Sequence, residues 1–447
     1  MTVKARSDQN KIAFGTDGIR AELGQNGISP SGMLAIGWAF GTVLAERSIS
    51  PSICIATDTR ASADCLESAL ICGLTAAGVH VEKLGVQPTP VVPFWIRHSQ
   101  LSAGIMLTAS HNKAKDNGIK LFNALGEKIS SAERESLISA IDNPCMISEK
   151  TCFGQIMQCQ EAAAEAYTQH VVATCIVDNR PGKVLRVVID PGYGAASHIA
   201  EPIFKSLGYR VSVIHTRYDG YNINCKSGST NPKVLQDEVI SQKADYGIAF
   251  DGDADRVIMV DAKGRLVDGD NLLFILALSQ KIKQKVVITP MSNQGLTDML
   301  QKNDIEVVVA PVGDQHVYEA MKAHSASVGA EPNGHVIIGN INQSGDGIMA
   351  AASVLKSIHI SAKPLDVWVD ELVKYPQRLI NIPIHDEAER TQLYDQVTSI
   401  LNKAEHIEAS SRFSGTEPML RVLLTANPGF EQSIEQVAQN LELLGAE

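Results

Sequence analysis

The sequence predicts an α/β fold, because three observations agree. Short apolar runs rich in β-branched residues recur along the chain, and several end directly in polar or glycine-rich loops. Helical stretches lie between these runs, which is typical of mostly parallel sheets covered on both faces. The C-terminal stretch differs, because one long apolar strand is followed by a closing helix, and it predicts a smaller α+β unit.

The predicted elements alternate along the chain. Helices are predicted at Ser31–Ala45, Asp64–Ala77 and Ser130–Ile141, and strands at Ile53–Ala56, before Asp58 and Arg60, and at Ala103–Leu107, before Ser110. A strand in "VLRVVID" precedes Gly192 and Gly194, and "YGIAF" and "RVIMVD" enclose an acidic loop. The runs "KVVITP", "IEVVVAP" and "MLRVLLTA" repeat the pattern. Because open α/β sheets bind ligands at the carboxyl ends of their strands, these polar loops are the candidate sites.

The bulk composition argues against several classes of protein. A formal net charge of −11 disfavours non-specific binding to nucleic acid, and an anionic substrate would need a local cluster of lysine and arginine. No apolar run reaches the roughly 18 residues that a membrane span needs, and the N-terminus lacks the apolar centre of a signal peptide. The eight cysteines form no C-x-x-C pair and are predicted to be free buried thiols. We therefore expect a cytoplasmic protein.

The loop "DGDADR", residues 251–256, gives the clearest chemical signal. Asp251, Asp253 and Asp255 alternate between two strands, and such a cluster repels itself unless a cation neutralises it. Hard oxygen ligands suit Mg²⁺ or Ca²⁺. The loop is not an EF-hand, because Arg256 and Ala262 stand where that motif requires glycine and glutamate. The alternative interpretation is a solvated acidic turn.

Three other loops could bind an anion or a sugar. In "RFSGTEPMLR", backbone N–H groups and hydroxyls could form an anion nest between two arginines, although a plain turn is the alternative. In "AEPNGH", a carboxylate, an amide and an imidazole follow a strand-like run, and "FGTDGIR" could bring Arg20 close to a phosphate. The candidates are Arg412, Ser414, Gly415, Thr416 and Arg421 in the first loop, and Glu331, Asn333 and His335 in the second.

The loop "TASHNKAKDNGIK", residues 108–120, allows two interpretations. It is either an ordinary surface turn with capping residues, or it presents Ser110 as a nucleophile that needs a partner elsewhere in the chain. Another loop, "DPGYGAAS", resembles a dinucleotide-binding turn. That motif is incomplete, because Ser197 replaces its third glycine and the following strand ends in His215 instead of an acidic residue.

Together and in this order, the loops resemble the motifs of the α-D-phosphohexomutase superfamily. "TASHN…DNGIK" is similar to its phosphoserine loop, "DGDADR" to its metal loop, "E-x-x-G-H" to its sugar loop and "R-x-SGTEP" to its phosphate loop. "FGTDGIR" and "GWAFGTVLA" most resemble the bacterial branch that acts on glucosamine phosphates. The resemblance implies three related α/β domains with mixed, mostly parallel sheets and a smaller C-terminal α+β domain around a central cleft. We place these domains at residues 1–153, 154–253, 254–366 and 367–447.

The resemblance also implies roles for the candidate residues. Mg²⁺ would be bound by Ser110, Asp251, Asp253 and Asp255. The catalytic groups would be Ser110 as phosphoryl carrier, Lys120 as general base, Arg20 and His335 as assistants, and His111 as a residue that orients the loop. The sugar would contact Glu331, Asn333 and His335, and its non-reacting phosphate Arg412, Ser414, Gly415, Thr416 and Arg421. A sugar 1,6-bisphosphate would be the activator, a phosphorylated hexose or hexosamine the substrate, and the chain a monomer or homodimer.

Several positions depart from the family pattern and leave the sugar open. Lys113 replaces the proline of the phosphoserine loop. The other departures are Ala330, Pro332 and Asn333 in place of glycine, glutamine and serine, and Gln315 and His316 in place of a basic residue and tyrosine. Mannose or glucose phosphates therefore remain alternative substrates. A non-catalytic sugar-phosphate sensor is the alternative of a different class.

Overall fold

The computed structural model describes residues 12, 14–15, 18–142, 153–177, 184–279, 285–384, 390–413 and 419–444. These residues form sheets of six, five, four and three strands, which follow one another along the chain. The first three sheets are mixed and carry helices, and the last is antiparallel. The predicted fold class is thus confirmed.

The first sheet has the strand order β1-β5-β4-β2-β3-β6. Its elements are β1 (Ile19–Glu22), α1 (Pro30–Arg47), β2 (Ser52–Thr57), α2 (Ala63–Ala76), β3 (His80–Val86), α3 (Val91–Ser99), β4 (Ala103–Leu107), β5 (Asp116–Asn123), α4 (Ser131–Asp142) and β6 (Ile156–Gln158). Strands β2 and β4 are parallel neighbours, whereas β5 pairs antiparallel with β4. The loops after β2 and β4 therefore lie side by side, and β5 returns past them.

The second sheet has the order β11-β10-β9-β7-β8. Its elements are α5 (Gln160–Cys175), β7 (Arg186–Asp190), α6 (Ala200–Ser206), β8 (Arg210–Val213), α7 (Lys233–Ser241), β9 (Tyr246–Phe250), β10 (Val257–Asp261) and β11 (Leu266–Val267). Strands β9 and β10 are buried along their whole length and form an antiparallel hairpin. The acidic loop is the turn of that hairpin.

The remaining chain forms the two smaller sheets, with the orders β13-β12-β14-β15 and β16-β18-β17. The third contains α8 (Gly269–Ser279), β12 (Lys285–Ile288), α9 (Gln294–Lys302), β13 (Glu306–Val309), α10 (Asp314–His324), β14 (Val328–Ala330), β15 (Val336–Ile338), α11 (Gly347–Ser361) and α12 (Leu365–Glu371). The fourth contains β16 (Gln377–Pro383), α13 (Arg390–Leu401), β17 (Ile407–Phe413), β18 (Met419–Ala426) and α14 (Glu431–Leu443).

One apolar core joins the first three sheets. It runs from α3 through α5 and the second sheet to α8 and α11, and includes Trp95, Tyr167, Phe250, Phe274 and Met349. The fourth sheet has a core of its own. Because a shared, close-packed core resists sliding, the loops of the first three sheets are held in fixed relation to one another.

The sheets do not coincide with two of the boundaries placed from sequence. Strands β9 and β10 pair across the boundary at 253/254, and the same sheet continues to Val267. Strand β6, beyond the boundary at 153/154, pairs with β3 of the first sheet. We therefore propose that the second domain ends after Val267 and that the first keeps β6.

The six cysteines within the described residues are free. Only Cys54 and Cys175 are buried, so the expectation of buried thiols was too general; Cys145 and Cys152 lie outside the described residues. No helix in the described ranges is long and apolar enough to cross a membrane.

Candidate active site

The nucleophile loop, which carries Ser110 and follows β4, contacts the acidic loop, which follows β9. Ser110 follows β4, and Asp251 follows β9 in a different sheet. The hydroxyl of Ser110 donates a hydrogen bond to Asp251 Oδ2 at 2.7 Å, and both residues are fully buried. Of the two interpretations of this loop, the ordinary surface turn is wrong, because Ser110 has no exposed surface and faces a cluster of carboxylates.

The backbone at Ser110 adopts a conformation that few non-glycine residues take. Its φ of 52° lies in the left-handed region, which is uncommon for a side chain with a Cβ. The Ser110 N–H donates to Thr108 Oγ1 at 2.8 Å, and the Thr108 hydroxyl in turn donates to Asp58 Oδ2 at 2.7 Å. These bonds hold the sharp turn that directs the serine hydroxyl toward the acidic loop.

Arg60 fixes the rest of the nucleophile loop. Its Nε donates to Asp58 Oδ2 at 2.9 Å, and its terminal nitrogens donate to the backbone carbonyls of Ser110, Asn112, Lys113 and Asp116. Its side chain is 2% exposed. A guanidinium can serve so many acceptors because its five donors form a planar fork. The sequence showed Asp58 and Arg60 after a strand, but not that they support this loop.

The acidic loop gathers three buried carboxylates. One oxygen each of Asp251, Asp253 and Asp255 lie within 4.8 Å of one another. Burial, together with the charges of Asp255 and Asp253, raises the pKa of Asp251 well above its usual range. Asp253 Oδ1 is buried and has no hydrogen-bond partner within the described residues. This set of hard oxygen donors fits a divalent cation such as Mg²⁺, and the solvated acidic turn is excluded by its burial.

Lys120, on β5, reaches into the same cluster. Its Nζ lies 2.7 Å from Asp253 Oδ2 and 2.6 Å from Asp255 Oδ2, and its side chain is 1% exposed. Two carboxylates at this distance stabilise the ammonium form. The geometry therefore favours Lys120 as a charge partner of the acidic loop in this arrangement, whereas a general base must first lose its proton.

His111 is held as a neutral imidazole. Burial lowers the pKa of His111 to about 3, and the positive charges of Arg256 and Arg20 contribute. Its Nδ1 lies 3.4 Å from Ser110 Oγ. The histidine can therefore hydrogen-bond the serine hydroxyl as a neutral group near neutral pH, while its predicted role in orienting the loop stays a prediction. Arg20 lies on β1, opposite Gly118 of β5, which brings it to the same site.

The sugar-loop candidates lie on the turn between β14 and β15. Glu331 is buried, and its Oε1 accepts a hydrogen bond from the Gly313 N–H at 3.0 Å. Asn333 Oδ1 accepts from the His335 N–H at 3.2 Å, which closes the turn. His335 Nε2 lies 3.4 Å from Asp255 Oδ1, so this turn touches the acidic loop. The turn that carries the three residues thus lies next to the acidic loop.

The phosphate-loop candidates are only partly described. Arg412 and Arg421 face each other across the pairing of β17 and β18, whereas Ser414, Gly415 and Thr416 lie outside the described residues. Burial and the charge of Arg421 lower the pKa of Arg412, and the charge of Glu331 opposes this effect. Two guanidinium groups that repel each other favour an anion between them, and Glu331 is near enough to influence one of them.

The departures at the start of α10 have a local explanation. Gln315 Nε2 donates to Glu319 Oε1 at 3.1 Å, and His316 Nδ1 lies 3.6 Å from Glu319 Oε2. Both side chains thus contact a residue of their own helix. The neighbouring Asp314 instead pairs with Lys128 of the first sheet at 2.6 Å, which links α10 to the nucleophile domain.

The glycine-rich turn after β7 packs against the acidic loop. A Cβ at Gly194 would lie 2.3 Å from the carbonyl oxygen of Gly252. The Asp190 carboxylate accepts from the Gly192 N–H at 2.8 Å and from the Gly228 N–H at 2.9 Å. The glycines therefore permit close contact between two protein loops, which accounts for them without a dinucleotide.

Sequence reasoning missed two further residues that contact this site. Thr89 donates its hydroxyl to Asp253 Oδ2, and Asn224 Nδ2 donates to the carbonyl of Ser110 at 2.8 Å. Neither stands in a recognisable motif. Asn224 comes after the predicted strand that ends in His215, whereas no strand was predicted directly before Thr89.

Comparisons with known proteins find similar sequences and structures over nearly the whole chain. Family models of the phosphoglucomutase/phosphomannomutase α/β/α domains I, II and III match residues 11–145, 165–264 and 268–375. The phosphoglucosamine mutase of Chromohalobacter salexigens is 38% identical over 432 residues, which cover 94% of this chain and 95% of that protein.

Solved structures share the fold. A phosphoglucomutase/phosphomannomutase family protein from Burkholderia thailandensis superimposes with a TM-score of 0.79 at 22% identity, over 95% of this chain and 96% of its own. The N-acetylphosphoglucosamine mutase of Aspergillus fumigatus, solved in complex with GlcNAc-6P and magnesium, gives a TM-score of 0.66 at 17% identity, over 96% of this chain and 95% of its own.

Proposed function

Because the chain belongs to the phosphoglucomutase/phosphomannomutase family, the α-D-phosphohexomutases, we propose that it interconverts glucosamine 6-phosphate and glucosamine 1-phosphate. The curated relatives at 36–39% identity, all named phosphoglucosamine mutase, support this choice of sugar. The product would serve synthesis of UDP-N-acetylglucosamine. A cytoplasmic location, a sugar 1,6-bisphosphate activator and a monomeric or dimeric state belong to the same proposal.

One observation carries the chemistry: the buried hydroxyl of Ser110 is hydrogen-bonded to Asp251 beside two further carboxylates. An isolated serine hydroxyl is a weak nucleophile and needs activation. Here the hydroxyl is oriented and buried in a site rich in fixed charge. This supports Ser110 as the residue that holds the phosphoryl group between turnovers.

The proposed reaction transfers one phosphoryl group out and another back. The bond between phosphorus and Ser110 Oγ breaks while a bond from phosphorus to the free hydroxyl oxygen of the sugar monophosphate forms. The proton that this hydroxyl loses passes by way of a neighbouring base to the released Ser110 Oγ, which restores the serine hydroxyl. The resulting 1,6-bisphosphate reorients and returns its other phosphoryl group to Ser110. Atoms balance without water, so the net change is an isomerisation.

The residues around Ser110 are proposed to stabilise charge and to transfer the proton. Mg²⁺, when bound by Ser110, Asp251, Asp253 and Asp255, supplies positive charge that offsets the charge on the transferring group. Lys120 adds a second positive charge as an ammonium group. To accept the sugar proton instead, its nitrogen must first lose a proton and leave the two carboxylates. Arg20 and His335 are proposed to assist this proton transfer.

Substrate binding is proposed to use the third and fourth domains. Glu331 and Asn333 would contact the ring hydroxyls or the 2-amino group. Arg412 and Arg421, with Ser414, Gly415 and Thr416, would hold the phosphate that does not react. One phosphate site then serves both orientations of the sugar, as the two half-reactions require. Exclusion of water from the buried serine would protect its phosphate from hydrolysis.

The test is a turnover assay on four sugar 6-phosphates, with Mg²⁺ and a trace of 1,6-bisphosphate. The substrates are glucosamine, N-acetylglucosamine, glucose and mannose 6-phosphate. A preference for glucosamine 6-phosphate supports the proposal. Preference for another sugar would keep the chemistry and attribute the difference to the sugar loop, in which Pro332 and Asn333 depart from the bacterial pattern. Binding of sugar phosphates without turnover would favour the sensor.

The nucleophile is tested by Ser110→Ala. Intact mass should show a phosphorylated species in the parent protein and none in the variant, and turnover should fall by several orders of magnitude. Ser136→Ala is the matched control, because this exposed serine of α4 bonds only within its own helix among the contacts described. Full activity of Ser110→Ala would contradict the mechanism.

A further inference from the structure

A side chain of the second domain donates hydrogen bonds to the backbone of the nucleophile loop. Asn224 lies between β8 and α7. Its Nδ2 donates to the carbonyl oxygen of Ser110 at 2.8 Å and to the carbonyl oxygen of Asn112 at 3.0 Å. One amide nitrogen thus uses both of its hydrogens on the loop that carries the nucleophile.

Asn224 is itself firmly placed. Its backbone adopts a φ of 57°, and its N–H donates to the carbonyl of Gly192 at 2.8 Å. Gly192 is tied in turn to the Asp190 carboxylate. The acidic loop closes the space on the other side, because a Cβ at Gly252 would lie 2.6 Å from the Ser110 carbonyl oxygen and 2.8 Å from Asn224 Nδ2. Nucleophile loop, acidic loop and Asn224 therefore meet at one point.

Two side chains hold the same pair of carbonyls, but they come from different domains. Arg60 NH2 also donates to the carbonyls of Ser110 and Asn112, at 3.2 and 3.0 Å. Arg60 belongs to the first sheet and moves with the nucleophile. Asn224 belongs to the sheet that carries the acidic loop. Only Asn224 of these two can fix the position of Ser110 relative to Asp251.

We propose that Asn224 is a positioning residue that aligns the Ser110 nucleophile with the acidic loop of the neighbouring domain. The inference rests on the proposed function, to which it adds a residue that does not contact the substrate. The described hydrogen bonds of its side chain go only to backbone carbonyls of the nucleophile loop. Loss of Asn224 should therefore slow phosphoryl transfer and leave sugar-phosphate binding intact.

The experiment compares Asn224→Ala and Asn224→Asp with Asn222→Ala. Asn222 lies in the same loop, but its side chain bonds Arg217 and Asp219 at the surface, which makes it a matched control. Since misplacement of a reacting group by about 1 Å costs on the order of 100-fold in rate, kcat of Asn224→Ala should fall by about that factor. Asn224→Asp should be at least as slow, because its carboxylate would oppose two carbonyl oxygens.

Two readouts separate positioning from general damage. The rate of Ser110 phosphorylation by glucose 1,6-bisphosphate, followed by intact mass, should fall with kcat. The affinity for glucosamine 6-phosphate, measured by calorimetry, should stay that of the parent protein, as should the melting temperature of Asn222→Ala. If Asn224→Ala does not fold, Asn224→Ser gives the same comparison with one donor retained.

The outcomes distinguish this inference from the proposed function. Normal kcat in Asn224→Ala, or a loss of substrate affinity equal to the loss of kcat, overturns the positioning role while the parent enzyme still turns over. No turnover and no Ser110 phosphorylation in the parent protein overturns the proposed function, and the inference with it. Slow phosphorylation with intact affinity supports both.

Discussion

Replacing Arg60 by lysine should loosen the nucleophile loop while leaving the domain folded. The guanidinium serves five acceptors: one carboxylate oxygen of Asp58 and the carbonyls of Ser110, Asn112, Lys113 and Asp116. An ammonium group has only three donors, all on one atom. At least two of these acceptors must therefore lose the bond that Arg60 donates.

The structure indicates which acceptors lose a hydrogen bond without a substitute and how much free energy this loss costs. The carbonyls of Ser110 and Asn112 keep their bonds from Asn224, and the carbonyl of Lys113 keeps one from the Asp116 N–H at 3.1 Å, so the loss falls on the Asp116 carbonyl. A buried acceptor without a partner costs about 1–3 kcal/mol, and the bond to this carbonyl is only part-buried. The lower limit gives a local loss of about 1 kcal/mol, which corresponds to roughly a 5-fold change in an equilibrium constant.

Hydrogen–deuterium exchange of the peptide spanning residues 108–116 measures this loss. Protection in the Arg60→Lys variant should fall by about that factor, and turnover should fall with it. Arg47→Lys is the control, because Arg47 is exposed on α1 and its pair with Glu133, at 3.6 Å, contributes little. Unchanged protection of this peptide in Arg60→Lys would refute the reasoning.

Two other contacts give testable outcomes. Because burial lowers the pKa of His111 to about 3 while the unfolded chain titrates near 6.5, stability should fall as pH drops from 6.5 toward 3, by at most about 5 kcal/mol. The melting temperature followed against pH should show this slope, and the slope should flatten in His111→Asn; an equal slope in both proteins would be evidence against a neutral His111. Lys128→Met should raise KM for the sugar phosphate several-fold, because it removes a pair that ties α10 to the first domain near Glu331. Lys285→Met, which removes a pair within the third sheet, is its control, and equal KM values in the two variants would count against this link.

Local patterns in the sequence were enough to predict the most apolar strands and the loops that follow them, but not strands such as β1, β3 and β5. Each unit, such as "AGIML" before Ser110 or "YGIAF" before Asp251, is an apolar run with a polar stretch after it. The structure confirms these strands at Ala103–Leu107 and Tyr246–Phe250. The burial of the loops was harder to foresee, because it results from the meeting of two domains.

The supporting contacts could not be predicted, because they join distant parts of the chain. Thr89 and Asp253 are 164 positions apart, and Asn224 and Ser110 are 114 apart. An amide or a hydroxyl in a loop carries no pattern that reveals such a partner. Lys120 shows the same limit: its location in the site was predicted, but its two ion pairs depend on the return of β5 past the acidic loop.

The boundary at 253/254 was placed from the family resemblance and not from strand pairing, and it falls inside the acidic loop. Its flanking runs are apolar and buried, and they pair with each other. The strand pairing, which the sequence alone did not specify, keeps both runs in one sheet.

The distance in sequence between Ser110 and Asp251 has a consequence for folding during synthesis on the ribosome. The two residues are 141 positions apart, and chains grow at about 5–20 residues per second. Roughly 7 to 28 s of synthesis therefore separate the emergence of the serine from that of its acidic partner. During this interval the first domain can fold while Ser110 is still uncovered. A ribosome-bound chain thus passes through a stage in which the serine is present and its carboxylate partner is not, and the two residues meet only when the second sheet has docked.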